Sequence, residues 1–283
     1  MTISEVVGSV RPVTVRDTEA VAAILEADPV AHCFVASRVR VAGADPWRLG
    51  GDLLGYYDGA ALRSLMFLGA NLVPVATTPA ARAAFADRLR PRGRRCSSIV
   101  GPADEVMDLW RILEPSWGPA RDVRSSQPLM LIDGDPLVEP DPLVRPSVAD
   151  DLDILVPACV AMFTAEVGVS PTVGGASYAY RTRIAEIVDE GRSFVRIDDG
   201  LVVFKAEVGA VSNGVCQVQG VWVDPAFRGR RLSESGMAAV VRHARARIAP
   251  QVSLYVNDYN TAARKAYRAV GFREVGSFAT VLF

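Results

Sequence analysis

A basic turn stands between a predicted strand and a predicted helix in the second half of the chain. Arg228, Gly229, Arg230 and Arg231 follow the alternating segment VCQVQGVWV, and apolar residues at helical spacing follow them. A helix N-terminus presents free amides and a partial positive charge, to which arginines add full charges, so this arrangement suits phosphate. A turn that is merely solvated is the simpler alternative. The strand–turn–helix context, and a second strand and helix just downstream, favour a phosphate site.

That second helix is predicted within VNDYNTAARKAYRAVGF. Asn260 is a suitable N-cap, and Gly271 suits the left-handed position just past the helix end. Ala263 and Tyr267 are one turn apart, so they share a face. Taken alone, this pattern indicates a buried aromatic that fills the core. The basic turn upstream makes a ligand-binding face the stronger interpretation.

Together the two segments resemble the acetyl-CoA site of the GNAT superfamily of N-acetyltransferases. The first family signature, Arg/Gln-x-x-Gly-x-Gly/Ala, aligns with residues 228–233. The second signature is matched completely by Asn260, Ala263, Tyr267, Gly271 and Phe272. The strong resemblance covers about residues 192–283, and the first half of the chain matches only in outline.

One residue departs from the first signature. Arg231 stands where the family has a glycine, and Ser233 takes the place of the final small residue. If position 231 requires a positive φ, its side chain costs about 1–2 kcal/mol. The backbone amides of the turn remain available whatever the side chain is.

The resemblance implies transfer of an acetyl group from acetyl-CoA, as co-substrate, to a primary amine. Such a transfer needs a deprotonated amine, a polarised thioester carbonyl and a proton for the departing thiolate. A tyrosine, with a pKa of about 10, can protonate a thiolate at modest cost, and the resemblance assigns this role to Tyr267. It also implies an added strand of pantetheine along residues 221–223. The implied acetyl-CoA contacts are Val221, Trp222, Val223, Arg228, Gly229, Arg230, Arg231, Leu232, Ser233, Asn257, Asn260, Ala263 and Tyr267.

The general base is less sharply indicated. The family often uses a glutamate on the central strands, and Glu207 in FKAEVGAV is the candidate, although an exposed strand carboxylate is equally ordinary. Gln217 and Gln219 on the next strand can orient water but cannot accept a proton. The segment between residues 162 and 183 falls where the family binds its acceptor. Its candidate acceptor-binding residues are Glu166, which is also the second candidate base, Tyr178 and Tyr180.

The elements that position these residues occur twice. VRPVTVRDTEAVAAIL and VRPSVADDLDILVP each predict a short strand and then an apolar helix. Each half continues with two apolar runs joined by Asp-Gly, which predicts a hairpin, and ends in an apolar strand. The rival explanation is that such openings are common in any mixed domain.

The repeated order of predicted elements indicates an α/β, mixed α+β fold with two GNAT-like domains, each a mixed, mostly antiparallel sheet flanked by helices. The Pro-rich segment DGDPLVEPDP contains the best linker. The predicted organisation is a degenerate GNAT-like domain at residues 1–134, a linker at 135–142 and a catalytic domain at 143–283. The first domain lacks both signatures, which indicates a copy that has lost the cofactor.

Composition excludes several other classes of protein. The 31 basic and 32 acidic residues give a net charge of −1, which offers no argument for nucleic acid or an anionic membrane as partner. The four cysteines form no CxxC pair, and with two histidines there is little support for a metal site. The start lacks a signal-peptide pattern, so a cytoplasmic protein is expected.

Two functional hypotheses follow. The leading one is an acetyl-CoA-dependent N-acetyltransferase active in its second half. The alternative is a non-catalytic acyl-CoA-binding regulatory module, which the arginine at position 231 and the lack of an evident base suggest. The sequence identifies neither the amine nor the oligomeric state.

Overall fold

The protein is described by a computed structural model over residues 8–43 and 46–283. Residues 1–7, which belong to the segment used above to argue against a signal peptide, lie outside the described residues. The contacts divide the chain into two compact units. The first contains the residues up to Leu129, with Tyr255–Asp258 and Glu274–Phe283, and the second contains Met130–Leu254 and Tyr259–Arg273.

The two halves of the sequence share an order of elements: a strand, two helices, three strands, a helix, a strand, a helix and a strand. The first half has one additional short helix before its three strands. The first half has β1 (Ser9–Pro12), α1 (Thr18–Ala27), α2 (Cys33–Ala42), a short α3 (Pro46–Leu49), β2 (Asp52–Asp58), β3 (Ala61–Leu68), β4 (Asn71–Val75), α4 (Pro79–Leu89), β5 (Ser98–Pro102), α5 (Ala103–Trp117) and β6 (Asp122–Ile132). The second half has β7 (Arg145–Pro146), α6 (Leu152–Val167), α7 (Ser177–Asp189), β8 (Ser193–Asp198), β9 (Leu201–Ser212), β10 (Val215–Val223), α8 (Leu232–Arg247), β11 (Gln251–Tyr255), α9 (Thr261–Val270) and β12 (Arg273–Leu282).

The two Asp-Gly hairpins are confirmed. β2 pairs antiparallel with β3 across Gly59, and β8 pairs antiparallel with β9 across Asp199 and Gly200. All three turn residues have positive φ (59°, 50° and 77°), which explains the glycines. The β4–β5 and β10–β11 pairs are parallel. The fold is therefore mixed α/β with mostly antiparallel strand pairs, as predicted.

Helices cover both faces of the sheet in each unit. In the first unit, Leu53 packs with α1 and α2 while its neighbour Leu54 packs with α4 and α5, because successive strand residues point to opposite faces. In the second unit, Leu155 and Cys159 of α6 pack with Val195 on one face. The apolar stripe predicted for α8 comprised Met237, Val240, Val241, Ala244 and Ile248. The first four are fully buried, whereas Ile248 is half-buried and lies just past the end of the helix.

The end of the chain departs from the predicted domain boundaries. Residues 143–283 were assigned to one domain, but Glu274–Phe283 belong to the first unit. There β12 pairs antiparallel with β5, from Phe278 opposite Pro102 to Leu282 opposite Ser98. Conversely, Met130–Ile132 at the end of β6 belong to the second unit. Local patterns located both strands but could not give their pairing partners, which are far away in sequence.

Candidate functional site

The pairing of β10 with its neighbouring strands changes halfway along its length. Its pairing with β11 runs from Val215 opposite Gln251 to Gln217 opposite Ser253 within the described chain. Its pairing with β9 continues to Val223 opposite Phe204, with a register shift between Gln219 and Trp222. Gly220 lies within this bulge and has φ 60°, a conformation that glycine adopts at little cost. The predicted pantetheine segment, residues 221–223, is partly exposed, so it offers a strand edge beyond the bulge.

The basic turn leads into the N-terminus of α8, as predicted. Arg228, Gly229 and Arg230 are exposed. Arg228 Nε donates to the carbonyl of Val223 (3.2 Å), which ties the turn back to the end of β10. Arg230 stacks on the ring of Phe227 at 5.1 Å. The turn therefore combines three arginines with the positive end of a sixteen-residue helix.

The first turn of α8 leaves amides available for a ligand. Glu234 N donates to Arg231 O at 3.0 Å, and Ser235 N reaches the same oxygen at 3.3 Å. The amides of Leu232 and Ser233 precede these bonds and fall among the first groups of the helix, which have no partner within it. A phosphate placed at this end would accept hydrogen bonds from the backbone and attract the arginines.

Arg231 adopts the strained conformation that its position in the signature implied. Its φ is 58° and its ψ is 18°, in the left-handed region. A side chain in this region costs about 1–2 kcal/mol, from which the backbone entropy lost by glycine must be subtracted. The arginine thus adds a charge to the basic turn at the expense of stability.

Arg231→Gly is expected to raise the free energy of unfolding by about 1 kcal/mol relative to Arg231→Ala. Both variants remove the charge, but only glycine relieves the left-handed strain. Urea unfolding of the two variants measures the difference directly. Equal stability of the two variants would show that position 231 carries no such strain.

The second helix is capped as predicted. Asn260 Oδ1 accepts from the amide of Ala263 at 3.2 Å, and Gly271 takes the left-handed position at the end of α9. Tyr267 is 7% exposed and its ring lies 5.9 Å from that of Phe272. Burial raises the pKa of Tyr267, and the nearby Glu166 carboxylate acts in the same direction. Its phenol therefore remains protonated at neutral pH.

Asn257 has a hydrogen-bond partner that the sequence did not predict. Its Oδ1 accepts from Gln127 Nε2 at 2.8 Å, and Gln127 Oε1 accepts from Thr280 Oγ1 at 2.6 Å. This chain of hydrogen bonds lies within the first unit. A contact between Asn257 and acetyl-CoA remains a prediction from the resemblance.

Glu207, the candidate base, is held by two neighbours on the face of the sheet that α6 covers. Its Oε1 accepts from Gln219 Nε2 at 2.8 Å, and its Oε2 lies 3.6 Å from Lys205 Nζ. Lys205 and Gly220 were not identified from the sequence as site residues. The available signals were an isolated lysine in an apolar strand and an isolated glycine in an alternating one, which often marks a bulge.

The three candidate acceptor residues differ in surroundings. Tyr178 is 83% exposed at the start of α7. Tyr180 donates from its hydroxyl to the carbonyl of Cys159 at 3.2 Å, and burial raises its pKa. Glu166 is exposed near the end of α6, where its charge acts on Tyr267. Tyr180 is therefore partly a packing residue, whereas Tyr178 and Glu166 face solvent.

An open groove of about 500 Å³ runs along α6 beside the end of β10. Its helical wall includes three alanines, Ala158, Ala161 and Ala165. Trp222 and Arg228, both predicted cofactor residues, line the opposite side. The groove thus adjoins the basic turn on the face of the sheet that also holds Glu207.

In the first unit, the turn before α4 corresponds to the basic turn, and its hydrogen-bond donors are occupied by a side chain of the same unit. Thr77, just before α4, donates from its amide (2.7 Å) and its hydroxyl (2.5 Å) to Glu105 Oε2. Thr78 caps α4 by accepting from Ala81 N. Glu105 is 8% exposed, and burial raises its pKa while the Thr77 hydrogen bonds oppose the rise. A carboxylate of the protein therefore takes the donors that a phosphate would need.

Glu105→Ala is expected to lower the free energy of unfolding by about 2 kcal/mol, because the buried Thr77 amide and hydroxyl lose their acceptor. Denaturant unfolding followed by tryptophan fluorescence measures the loss. The matched control is Asp104→Ala at the adjacent exposed position, which should change stability by no more than about 0.5 kcal/mol. Equal effects of the two substitutions would contradict the role given to Glu105.

Two further findings concern the whole described chain. No group of three or more His, Cys, Asp or Glu side chains suited to a metal ion occurs among the described residues. Within the same residues, no helix is both long enough and apolar enough to cross a membrane.

Comparison with known proteins agrees with the architecture. Residues 169–272 match the model of the Acetyltransferase (GNAT) family, and residues 51–155 match that of a domain of unknown function, DUF4081. No curated protein sequence matches the chain.

Solved structures with a similar fold span nearly the whole chain. A GCN5-related N-acetyltransferase from Sphaerobacter thermophilus is 18% identical, with a TM-score of 0.61 over 99% of this chain and 96% of that one. An acetyltransferase of the GNAT family from Colwellia psychrerythraea is 12% identical, with a TM-score of 0.58 over 97% and 99%. A tandem GNAT protein from the clavulanic acid biosynthesis pathway is 13% identical, with a TM-score of 0.53 over 97% and 98%. At these identities the likeness concerns the fold alone.

Proposed function

From the GNAT-family acetyltransferase domain that the chain carries at residues 169–272, we propose that the protein transfers an acetyl group from acetyl-CoA to a primary amine. The observation that carries this proposal is the bulged strand β10 leading through the basic turn into α8. A strand edge, unpaired amides and arginines lie in the order that a pantetheine arm and a pyrophosphate require.

The described residues fit acetyl-CoA. The amides of residues 229–233 and the three arginines would hold the pyrophosphate, and the edge of residues 221–223 would hydrogen-bond the pantetheine arm. Asn260 already caps α9 through Oδ1, so its remaining NH₂ group is the part free to contact pantetheine. Acetyl-CoA supplies the thioester whose acetyl group is transferred.

Glu207 is the residue best suited to take the proton of the amine. Its side chain is 13% exposed, and Oε1 is oriented by Gln219. An acceptor amine at the Gly220 bulge would lie beside this carboxylate, since a Cβ built on Gly220 would be 3.4 Å from Glu207 Cδ. An amine must lose its proton before it can attack, so a carboxylate here serves directly or through water.

Tyr267 is suited to the opposite proton transfer. Its raised pKa keeps the phenol protonated, so a proton is available when a thiolate departs. A thiolate has a conjugate-acid pKa of about 8.5 and an ordinary phenol a pKa of about 10, so the raised pKa of Tyr267 makes this proton transfer more unfavourable than it would be from an ordinary tyrosine. Glu166, Tyr178 and Tyr180 remain candidates for the acceptor side.

The alternative of a non-catalytic acyl-CoA-binding module has one observation in its favour. Glu207 is already engaged by Gln219 and Lys205, so its carboxylate is less free than that of an isolated base. Under this alternative the turn and strand edge would bind acetyl-CoA without turnover.

The test is thiol release from acetyl-CoA by the full chain in the presence of separate primary amines: L-lysine, spermidine, glucosamine and a peptide with a free N-terminus. The proposal predicts amine-dependent thiol release and an acetylated product in the mass spectrum. Binding of acetyl-CoA without release by any amine would favour the module. Absence of binding would overturn both functions.

A further inference from the structure

The side chain of Lys205 is buried beside the candidate base and is not used by the proposed reaction. Lys205 is 0% exposed on β9, and its Nζ donates to no oxygen acceptor among the described residues, with the Cys159 thiol of α6 as its neighbour. Its nearest carboxylate oxygen is Glu207 Oε2 at 3.6 Å, an ion-pair contact longer than a hydrogen bond. An ammonium buried this way is costly unless it is paired, so its position is bound to that of Glu207.

Two glycines leave space for the side chains of Lys205, Glu207 and Gln219. A Cβ on Gly209 would come within 2.3 Å of the side chain of Gln219. A Cβ on Gly220 would lie 3.1 Å from Lys205 Nζ. Larger residues at either position would displace the groups that contact Glu207. The backbone therefore accommodates an arrangement in which the two carboxylate oxygens have different partners, the Gln219 amide and the Lys205 ammonium.

We propose that Lys205 is a positioning residue for Glu207, whose carboxylate it holds in place by charge beside the Gly220 bulge. This inference rests on the proposed function, in which Glu207 accepts the proton of the amine. Gln219 directs Oε1, and the positive charge on Lys205 stabilises negative charge on Oε2. An acceptor amine would then meet an oriented anion.

The other groups around the pair do not provide this charge. Burial raises the pKa of the Cys159 thiol on α6, with the charge of Lys205 opposing the rise, and burial raises the pKa of the Tyr180 phenol on α7. Both therefore stay neutral at pH 7, and Arg183 acts on Tyr180. The residues opposite the pair in β8 and β10 are uncharged: Ser193, Val195, Gln219 and Trp222.

The test uses Lys205→Met, which keeps an unbranched side chain only one atom shorter and removes its charge. Protein labelled with ¹³C at glutamate side chains is titrated by NMR, with the Glu207 signal assigned by its loss in Glu207→Gln. The pH at which this signal changes should rise by about 1 unit or more in Lys205→Met, because an opposite charge at this distance has been removed. An unchanged midpoint overturns the proposal. If Lys205→Met does not fold, Lys205→Gln provides the same comparison.

Val203→Ala is the matched control. Val203 is fully buried on the same strand and carries no charge, so its truncation should reduce stability without moving the Glu207 midpoint. A shift as large as that in Lys205→Met would mean that loosened packing, and not charge, controls Glu207. This titration needs no acceptor, so it decides on Lys205 even if no amine is acetylated and the proposed function fails.

Steady-state kinetics of acetyl transfer provide a second test. With the amine from the panel that gives the fastest thiol release, Lys205→Met should lower kcat about 10- to 100-fold with little change in KM for acetyl-CoA. In a Glu207→Gln background the same substitution should have no further effect, because Lys205 acts through Glu207. Multiplying effects in the double variant would contradict the proposal.

Discussion

Tyr267→Phe is expected to lower the rate of acetyl transfer by about 10²- to 10³-fold while leaving the affinity for acetyl-CoA unchanged. The hydroxyl is the only group removed, and the phenyl ring retains its contact with Phe272, 5.9 Å away. The side chain is buried in α9, and its raised pKa keeps a proton in place for the departing thiolate. Single-turnover measurements at saturating acetyl-CoA report on this step.

The matched control for this substitution is Tyr259→Phe. Tyr259 lies just before α9 and is 67% exposed, so loss of its hydroxyl should leave the rate unchanged. A transfer rate for Tyr267→Phe equal to that of the unsubstituted protein would remove the assignment of Tyr267 as the acid. A parallel loss of acetyl-CoA affinity would instead make the hydroxyl a binding group.

Ser233→Glu is expected to weaken acetyl-CoA binding about 30- to 100-fold, which corresponds to roughly 2–3 kcal/mol. The new carboxylate would stand in the first turn of α8, next to the amides of Leu232 and Ser233 that would hold the pyrophosphate. It would repel the phosphate charge and also compete for the donors. Titration calorimetry with acetyl-CoA measures the change.

Ser233→Ala separates the effect of the added charge from that of losing the hydroxyl. It removes the hydroxyl without adding charge, and the backbone amides remain, so its affinity should stay within about threefold of the unsubstituted protein. If Ser233→Glu binds acetyl-CoA as tightly as Ser233→Ala, the pyrophosphate does not lie at the N-terminus of α8.

The local parts of the site could be predicted because each depends on residues close together in the chain. The cap at Asn260 and the Asp-Gly hairpins follow from backbone preferences of single residues. The left-handed conformation of Arg231 followed from aligning one signature with a glycine position, and the structure confirms it with φ 58°. The order of strands and helices could also be predicted, because the spacing of apolar residues differs between a strand and a helix.

The long-range parts could not be predicted in the same way. Lys205 and Glu207 are two apart on β9 and share a face by alternation, but the approach of Gln219 depends on the register between β9 and β10, which shifts at the Gly220 bulge. A shift of one residue exchanges the faces of a strand, so sequence alternation alone could not bring these side chains together. The pairing of β12 with β5 and the bond from Tyr180 to the Cys159 carbonyl also depend on packing between distant segments.

The first unit illustrates how a similar backbone order need not retain the same chemistry. Its turn before α4 has no arginine–glycine run, and its donors at Thr77 bind the carboxylate of Glu105. We therefore expect this unit to hold no cofactor of its own.

Isothermal titration of acetyl-CoA into the full chain tests the central claim most directly. The N-terminus of α8 offers amides and arginines, whereas the turn before α4 is filled by Glu105, so the expected result is one saturable site per chain. Binding should weaken as the salt concentration rises, because the arginines contribute by charge. No heat of binding at millimolar acetyl-CoA, or two equivalent sites per chain, would contradict the account.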